Sequence, residues 1–257
     1  MVWLIMRQLQ HRPSVLLLAS LGWLAGTSSS YGIQTETHEE KAANLKQQAT
    51  GGLFQKWTFD QDQIHGLPDG FEQGVSVDGP PATWAVLART NAPSVPNVVA
   101  GSSSCAQGCY QVLMAKELEY EYPDLSVRFH ALDGAGAGGL VFGARDAKNF
   151  YAAVVDPVLG KAQLLRISDG RGTPLAQASV TLKQVDWHSL RVQRNTIISK
   201  DFIEVYVDGT LILSVEDQTL ALGQIGLVLV GESAMFFDSF HAVPLFSHRP
   251  FSSPPAY

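Results

Sequence analysis

One stretch decides the fold of this chain: Ile203-Glu-Val-Tyr-Val-Asp-Gly-Thr-Leu-Ile-Leu-Ser-Val215. Apolar residues alternate with other types over 203–207, and the alternation resumes over 210–215. Successive side chains of a β-strand point to opposite faces, so each run predicts a strand with one buried face. Asp208-Gly209 lies between the two runs, and both residue types accept the positive φ angles of a tight two-residue turn. The stretch therefore predicts a β-hairpin.

The same pattern recurs along most of the chain. A second Asp-Gly turn follows the run Gln163–Ile167, and further alternating runs cover 124–132, 187–194, 224–230 and 235–243. About a dozen such runs occur at the spacing of roughly 8–12 residues that is typical of a sandwich or barrel. No long stretch with a helical period of 3.6 residues interrupts them, which argues against a parallel sheet with crossover helices. We therefore expect an all-β fold of two packed antiparallel sheets.

The composition agrees with one large β domain and excludes some partners. The chain has 257 residues, of which 46% are apolar and 16% charged, so it has ample material for a core. Its net charge is −6. Nucleic-acid affinity depends on neutralising phosphates with basic side chains, so an acidic chain without a basic patch is a poor candidate for that class.

Residues 1–30 have the features of an export signal. A basic region ending at Arg12 precedes the apolar run 14–26, and small residues follow at 27–30. The apolar run fits the roughly 7–15 residues of a signal peptide and falls short of the about 20 that span a membrane. We expect cleavage near Ser30, a periplasmic or secreted protein, and no membrane span in the mature chain. An uncleaved signal anchor is the alternative.

The rest of the chain divides into three parts. Residues 31–52 are polar, end in Gly51-Gly52 and read as a linker. The β pattern fills 53–245, which we take as the folded domain. Residues 246–257 are rich in proline and serine, and are expected to form a flexible C-terminal tail.

The chain has two cysteines, Cys105 and Cys109, in a stretch rich in serine and glycine. In an exported protein so close a pair predicts a disulfide. A loop this small contributes little to global stability, so the bond would mainly shape the loop. The Cys-x-x-x-Cys spacing followed by Tyr110 does not fit haem attachment, and no further zinc ligands are evident nearby.

The stretch Gly138-Gly-Leu-Val-Phe-Gly-Ala-Arg-Asp-Ala-Lys-Asn-Phe-Tyr151 resembles a segment of a bacterial exported group. These are concanavalin A-like, laminin G-like jelly rolls, described as family 16 glycoside hydrolase-like or 3-keto-disaccharide hydrolase-like. Trp187-His-Ser-Leu-Arg-Val192 and Gly223-Gln-Ile-Gly-Leu227 fit as well, and the resemblance spans about 54–243. It implies a jelly-roll sandwich of the concanavalin A-like lectin/glucanase type. One departure is Gly143, which stands where the group usually has an arginine.

Four residues around the turn in this segment are candidates for ligand binding: Arg145, Asp146, Asn149 and Tyr151. Their polar groups could bond sugar hydroxyls while the aromatic ring stacks on a sugar. The alternative is turn chemistry, because Asp and Asn side chains commonly bond their own backbone in turns.

Glu117, Glu119 and Glu121 alternate and are expected on one strand face. They superficially resemble the Glu-x-Asp-x-Glu strand of true family 16 glycosidases, where carboxylates act as nucleophile and acid. Retaining glycosidases need carboxyl groups about 5–5.5 Å apart. The resemblance makes these glutamates catalytic candidates, and the alternative is a solvated strand face.

Asp60 and Asp238 lie on the expected first and last strands, which pair in many jelly rolls. Related carbohydrate-binding sandwiches hold a structural calcium ion near this place, so the resemblance makes the two aspartates candidate ligands. Calcium takes six to eight oxygen ligands, of which the sequence supplies two by name.

Three function classes remain open. The first is an exported, non-catalytic module that binds carbohydrate or another cell-surface polymer. The second is a glycoside or 3-keto-glycoside hydrolase, and the third is a scaffold that binds protein or cell wall. Two histidines, His130 and His188, are expected on the surface, while the core is expected to take three tryptophans, Trp57, Trp84 and Trp187.

Overall fold

The computed structural model describes the backbone of 49–50 and residues 54–132, 136–183, 186–197 and 200–245. All of them lie in the second of two units into which the chain divides, 36–257. The predicted signal peptide, 1–30, and the predicted tail, 246–257, lie outside the described residues. Within the predicted linker, Ala49–Thr50 forms a short strand. None of the described segments is a helix that could cross a membrane.

The described residues form sixteen β-strands: β1 Ala49–Thr50, β2 Gln55–Trp57, β3 Phe71–Val75, β4 Thr83–Ala88, β5 Asn97–Ser104, β6 Tyr110–Tyr120, β7 Pro123–Ala131, β8 Ala137–Asp146, β9 Asn149–Asp156, β10 Lys161–Ser168, β11 Arg171–Ser179, β12 His188–Ile197, β13 Lys200–Val207, β14 Thr210–Glu216, β15 Gly223–Val230 and β16 Glu232–Pro244.

These strands form two antiparallel sheets. Sheet A has the order β1-β6-β15-β8-β9-β10-β11, with β3 also paired to β6. Sheet B has the order β14-β13-β12-β7-β16-β5-β4, with β2 paired to β16. The chain passes from one sheet to the other several times, as in a jelly roll. The predicted all-β, two-sheet antiparallel sandwich is confirmed.

Both predicted Asp-Gly turns are present. Asp208 and Gly209 have φ angles of 48° and 78° and join β13 to β14. Asp169 and Gly170 have φ angles of 50° and 78° and join β10 to β11. Two successive residues in the left-handed region give the tight turn whose twist matches the flanking strands.

Apolar side chains from both sheets fill the space between them. Sheet A contributes Leu113, Leu140 and Leu227, and sheet B contributes Leu125 and Leu190, all fully buried. Two of the expected core tryptophans pack here, because Trp84 is buried and the ring of Trp57 stacks on that of Phe240.

His188 is a correction to the expected surface position. It is buried, and its two ring nitrogens lie 2.7 Å from Asp208 Oδ2 and 2.8 Å from the Lys183 carbonyl oxygen. The residue begins β12, whose alternation places its side chain on the same face as Leu190.

A second apolar cluster lies on the face of sheet A that points away from sheet B. Its residues alternate along the strands with the core residues, which explains why they point outward. They are nevertheless buried: Tyr110, Val112, Met114, Val141, Ala144, Phe150, Ala152, Val154, Leu165, Ile167 and Val228.

The curvature of sheet A buries this cluster. A Cβ on Gly172 of β11 would lie 1.8 Å from the hydroxyl of Tyr110 in β6. Four strands separate β6 from β11 in the sheet, so in a flat sheet they would be about 24 Å apart. The face is therefore strongly concave, and side chains from its two sides meet.

Two hairpin tips close one end of the concave face. The β8–β9 tip reaches β3, where a Cβ on Gly74 would lie 2.7 Å from the Cβ of Ala147. The β10–β11 tip reaches the residue after β3, where a Cβ on Gly170 would lie 2.2 Å from the carbonyl oxygen of Ser76.

Candidate functional site

An open groove lies at the other end of the concave face. Its volume is about 640 Å³, within the roughly 300–1,000 Å³ of small-molecule sites. The floor includes Val154 and Leu165, which belong to the second apolar cluster, and Val230, which packs against it. The groove is therefore the part of the concave face that the cluster leaves open.

The disulfide loop forms one wall. Cys105 and Cys109 are bonded, with their Cα atoms 6.0 Å apart, which confirms the predicted disulfide. Residues 104–107 line the groove. The loop is fixed on both sides, because Cys109 N donates to the Ala106 carbonyl and Gly231 N donates to the Cys109 carbonyl, at 3.1 and 2.9 Å.

The β9–β10 hairpin contributes to the lining as well. Asp156 Oδ1 accepts hydrogen bonds from the backbone N–H groups of Val158 (3.0 Å) and Leu159 (2.8 Å), which fixes the tip. These two residues are 45% and 73% exposed. The hairpin thus presents two apolar side chains at the groove.

Five polar side chains line the groove without a hydrogen bond to another described residue: Ser104, Gln107, Lys161, Gln163 and Glu232. They supply one hydroxyl, two amides, one ammonium and one carboxylate, so donors and acceptors are both present. Among the described residues, no aromatic ring lines this groove. The arrangement suits a ligand that carries several hydroxyl groups and some apolar surface.

The candidate ligand residues around the β8–β9 turn lie outside this groove. Asp146 accepts hydrogen bonds from Lys148 N at 2.7 Å and from Asn149 Nδ2 at 3.0 Å. Asn149 Oδ1 in turn accepts from Asp169 N at 3.1 Å, which ties this tip to the β10–β11 tip. Arg145 is exposed beside them. The side chains of Asp146 and Asn149 thus form hydrogen bonds within and between turns, as the alternative interpretation of the sequence predicts.

Tyr151 has no ring face open to a sugar, because the residue is fully buried. Its hydroxyl donates to Asp217 and accepts from Leu220 N, the latter at 3.1 Å. Burial, followed by the hydrogen bond to Asp217, raises the pKa of Tyr151 to about 12. This hydroxyl therefore joins β9 to the segment after β14.

Gly143, which stands in place of the expected arginine, also has a structural explanation. Its φ angle is 58°, and the pairing of β8 with β9 shifts register between Phe142 and Asp146. A residue in this left-handed bulge favours glycine, because a side chain there is strained.

The three candidate glutamates do not share one strand face, which corrects the expected alternation. β6 ends at Tyr120, so Glu121 lies beyond the strand. Glu117 has a φ angle of 57°, and β6 and β15 shift register between Gln224 and Gly226. This bulge interrupts the period of two on which the catalytic comparison depends.

The structure does bring Asp60 and Asp238 together, around Ser94. Ser94 Oγ donates to Asp60 Oδ2 at 2.7 Å, while Ser94 N donates to Asp238 Oδ2 at 2.6 Å. Asp60 follows β2 in a turn, and Asp238 lies in β16. Burial opposes the ionisation of Asp60, but hydrogen bonds outweigh it and lower its pKa. Burial raises the pKa of Asp238, and nearby Asp60 adds to this.

As arranged, these residues do not fit a calcium site. N–H and O–H donors already occupy the carboxylate oxygens, and Asn97 Nδ2 donates to the carbonyl oxygens of Phe59 and Asp60. The described residues contain no group of three or more His, Cys, Asp or Glu side chains that could hold a metal ion. Structural calcium stays a prediction of the sequence resemblance.

We expect the melting temperature to be the same in millimolar CaCl₂ and in EDTA, because internal donors satisfy both aspartates. Differential scanning fluorimetry measures this, with MgCl₂ as the control for ionic strength. A rise specific to calcium would contradict the expectation, since a ligand that binds only the folded state stabilises it by about 2.7 kcal/mol at a hundred times its Kd.

The sequence did not identify the polar residues of the groove. They come from the disulfide loop, from β10 and from the start of β16, and the curvature of sheet A brings them together. Isolated glutamines and lysines carry no motif. The cysteine pair was the one signal that pointed here, because it marked a constrained loop.

No family model matches the chain, and no curated protein matches it by sequence. Solved structures do match. A carbohydrate-binding module from Bacillus subtilis matches with a TM-score of 0.51 and 19% identity, over 65% of this chain and 92% of the module. A protein of unknown function with a galectin-like fold, also from Bacillus subtilis, matches with a TM-score of 0.52 and 12% identity, over 76% of this chain and 99% of that one. At these identities the likeness shows the fold, a concanavalin A-like sandwich.

Proposed function

We propose that this chain is an exported, non-catalytic carbohydrate-binding module, and that the groove is its ligand site. The observation that carries the proposal is the set of five polar side chains that bind no other described residue and lie above an aliphatic floor. Small-molecule sites combine a mostly apolar lining with a few polar groups that fix orientation. A sugar offers the complement, because its hydroxyls both donate and accept while its C–H faces are apolar.

The chemistry of each polar group fits this ligand class. The amides of Gln107 and Gln163 can each donate to and accept from hydroxyl groups. Lys161 donates and Glu232 accepts, so a vicinal pair of hydroxyls can be held from both sides. With Asp156 the lining has two carboxylates and one ammonium, which disfavours an anionic sugar and suits a neutral one.

The carboxylates of the groove support binding rather than catalysis. Glycoside hydrolysis usually needs two carboxyl groups that flank the scissile bond, one of them as acid. The lining contains Asp156 and Glu232. Asp156 Oδ1 already accepts two backbone hydrogen bonds in its hairpin, so its position serves the turn.

Export is supported by two independent features. The first 30 residues have the pattern of a signal peptide. The bonded pair Cys105–Cys109 fits an oxidising compartment, where disulfides persist. Periplasmic and secreted locations both meet these conditions.

The test is a glycan array with plant and bacterial polysaccharides, followed by calorimetric titration of the best ligand. The double variant Lys161→Ala, Gln163→Ala should lose at least about tenfold in affinity, because it removes two hydrogen bonds of about 1 kcal/mol each.

The matched control is Gln73→Ala, Lys116→Ala. Both side chains are exposed and lie outside the groove. This variant should bind like the parent protein. Equal losses in both variants, or an array without any bound glycan, would sink the proposal.

The exposed side chains Val158 and Leu159 favour one second candidate, a scaffold that binds protein or cell wall. In that case the variant Lys161→Ala, Gln163→Ala would bind sugars and cell walls as the parent does. Leu159→Ser, in contrast, would no longer bind cell-wall fragments. A pull-down with purified cell walls separates the two functions.

A further inference from the structure

A second cleft lies on the outer face of sheet B, away from sheet A. Its volume is about 370 Å³. Three serines, one arginine and one histidine line it together with two apolar residues: Pro93, Ser126, Val127, Arg128, Ser189, Ser239 and His241.

Strand pairing places the polar side chains together. Arg128 of β7 pairs with Ser189 of β12, and Ser126 of β7 pairs with His241 of β16. Paired residues point to the same face of a sheet, and so do residues two apart on one strand. These four side chains therefore share the outer face of sheet B.

Among the described residues, the carboxylate opposite Arg128 in register forms no ion pair with it. Asp238 lies opposite Arg128 in register, but β16 shifts register after Asp238, and Ser239 has a φ angle of 50°. The Asp238 residue is fully buried, and its carboxylate accepts from the N–H groups of Ser94 and Ser239. Within the part of the chain that the structure describes, Arg128 forms no ion pair.

Two nitrogen atoms of the cleft have unused hydrogen-bonding capacity. Arg128 Nη2 donates to the Trp187 carbonyl at 2.9 Å, while Arg128 Nε is buried and has no hydrogen-bond partner among the described residues. His241 Nε2 is likewise buried without a partner. Burial, followed by the charge of Lys56, lowers the pKa of His241, so its ring is neutral at pH 7 and retains one N–H. A buried polar atom without a partner costs about 1–3 kcal/mol.

This set of groups suits an oxyanion. An unpaired guanidinium binds a carboxylate through two parallel hydrogen bonds, which neither a neutral hydroxyl nor an amide can match. The Ser126 hydroxyl makes no hydrogen bond to another described residue and can donate to the same anion.

An aromatic row begins beside the cleft. The rings of Trp187 and His130 are 5.6 Å apart, and His130 stacks on Phe236 at 6.2 Å with an angle of 7°. Trp187 and His130 are partly exposed, unlike the buried Trp84 of the core. The row starts at the residue whose carbonyl binds Arg128, so a ligand held by its anion has a ring surface next to it.

We propose that this cleft binds the carboxylate of an acidic saccharide, a uronate, whose sugar ring lies against Trp187 and His130. The guanidinium of Arg128 holds the carboxylate, and the hydroxyl of Ser126 donates to it. The site goes beyond the proposed function, because it lies on the other sheet and uses none of the groove residues.

The test is calorimetric titration with tetragalacturonate and with the same oligosaccharide after reduction of its carboxylates to alcohols. We expect the acidic form to bind, with an affinity that falls as NaCl is raised. Arg128→Gln should weaken binding at least about tenfold, and Trp187→Ala should weaken it less. The reduced form should not bind at the cleft, so Arg128→Gln should leave its affinity unchanged.

Arg171→Gln is the matched control, because Arg171 is exposed in β11 of sheet A and the substitution changes the charge equally. It should bind tetragalacturonate like the parent. If Arg128→Gln does not fold, Arg128→Lys keeps the charge while losing the paired hydrogen bonds, and should still weaken binding. The proposal would be overturned if the acidic and reduced forms bound equally, or if acetate bound as tightly as tetragalacturonate. It would also be overturned if Arg128→Lys bound tetragalacturonate as tightly as the parent protein. Loss of binding in Lys161→Ala, Gln163→Ala alone would place the ligand in the groove instead.

Discussion

Replacing Arg194 with leucine is expected to lower the free energy of unfolding by about 3–5 kcal/mol. Arg194 lies in β12, and its side chain is 2% exposed. Its guanidinium donates to Asp201 Oδ2 at 2.6 Å and to the Ala221 carbonyl at 3.2 Å. Thr196 Oγ1 donates to the other carboxylate oxygen at 2.5 Å. Without the guanidinium, the buried Asp201 carboxylate loses its counter-ion, which is the costly case.

Urea denaturation measures this loss, and two further variants interpret it. Arg194→Leu, Asp201→Leu removes both charges and should recover much of the stability, because burial of an ion pair is itself expensive. Arg191→Leu removes a guanidinium that binds Asp124 through two hydrogen bonds, but this side chain is 45% exposed. It should cost under about 1 kcal/mol, as exposed pairs do. Similar losses for Arg194→Leu and Arg191→Leu would contradict the role of burial.

The second large effect is expected for Gly139→Ala, a loss of about 3 kcal/mol, at the upper end for an overfilled core. A Cβ on Gly139 would lie 2.0 Å from the carbonyl oxygen of Ala153 and 2.9 Å from Leu190 Cδ2. The first of these is backbone of β9, so the added methyl group must separate two paired strands of sheet A. Side-chain rotation cannot relieve this contact.

Thermal and urea unfolding of Gly139→Ala should be compared with Gly79→Ala. The nearest neighbour of a Cβ on Gly79 is Cys105 Sγ, at an ordinary contact distance of 3.5 Å. That substitution should change stability by at most about 1 kcal/mol, and can increase it by restricting the unfolded chain. A smaller loss of stability in Gly139→Ala than in Gly79→Ala would contradict the prediction, because β8 and β9 would then separate at Gly139 without an energetic penalty.

The sandwich could be predicted because its signals are local. Alternation over single strands and the Asp-Gly turns at 169–170 and 208–209 depend on residues that are adjacent in sequence. The bulge at Glu117 could not be predicted from local pattern, because it arises where the pairing of β6 with β15 shifts register. Three glutamates that alternate in sequence therefore do not alternate in space.

The stretch Gly138–Tyr151, which carries the family resemblance, proves to hold structural roles. Gly139 allows two strands to pair closely, Asn149 links two hairpin tips, and Tyr151 bonds the segment after β14. A sequence pattern that marks a family can therefore reflect structural contacts as well as ligand binding. The groove and the outer cleft draw their residues from distant strands, and curvature and register decide which of them meet.

The filling of the concave face has a consequence for the topology of any polymer bound in the groove. The second apolar cluster and the two hairpin tips block the path along the sheet, so the groove is blind at one end. A linear polysaccharide cannot thread through it and can enter only with a terminus or a short branch. The number of binding positions on such a polymer then grows with its chain ends rather than with its mass. A module of this shape would bind a glycan in proportion to its number of chain ends, and would accumulate where hydrolases have already cleaved it.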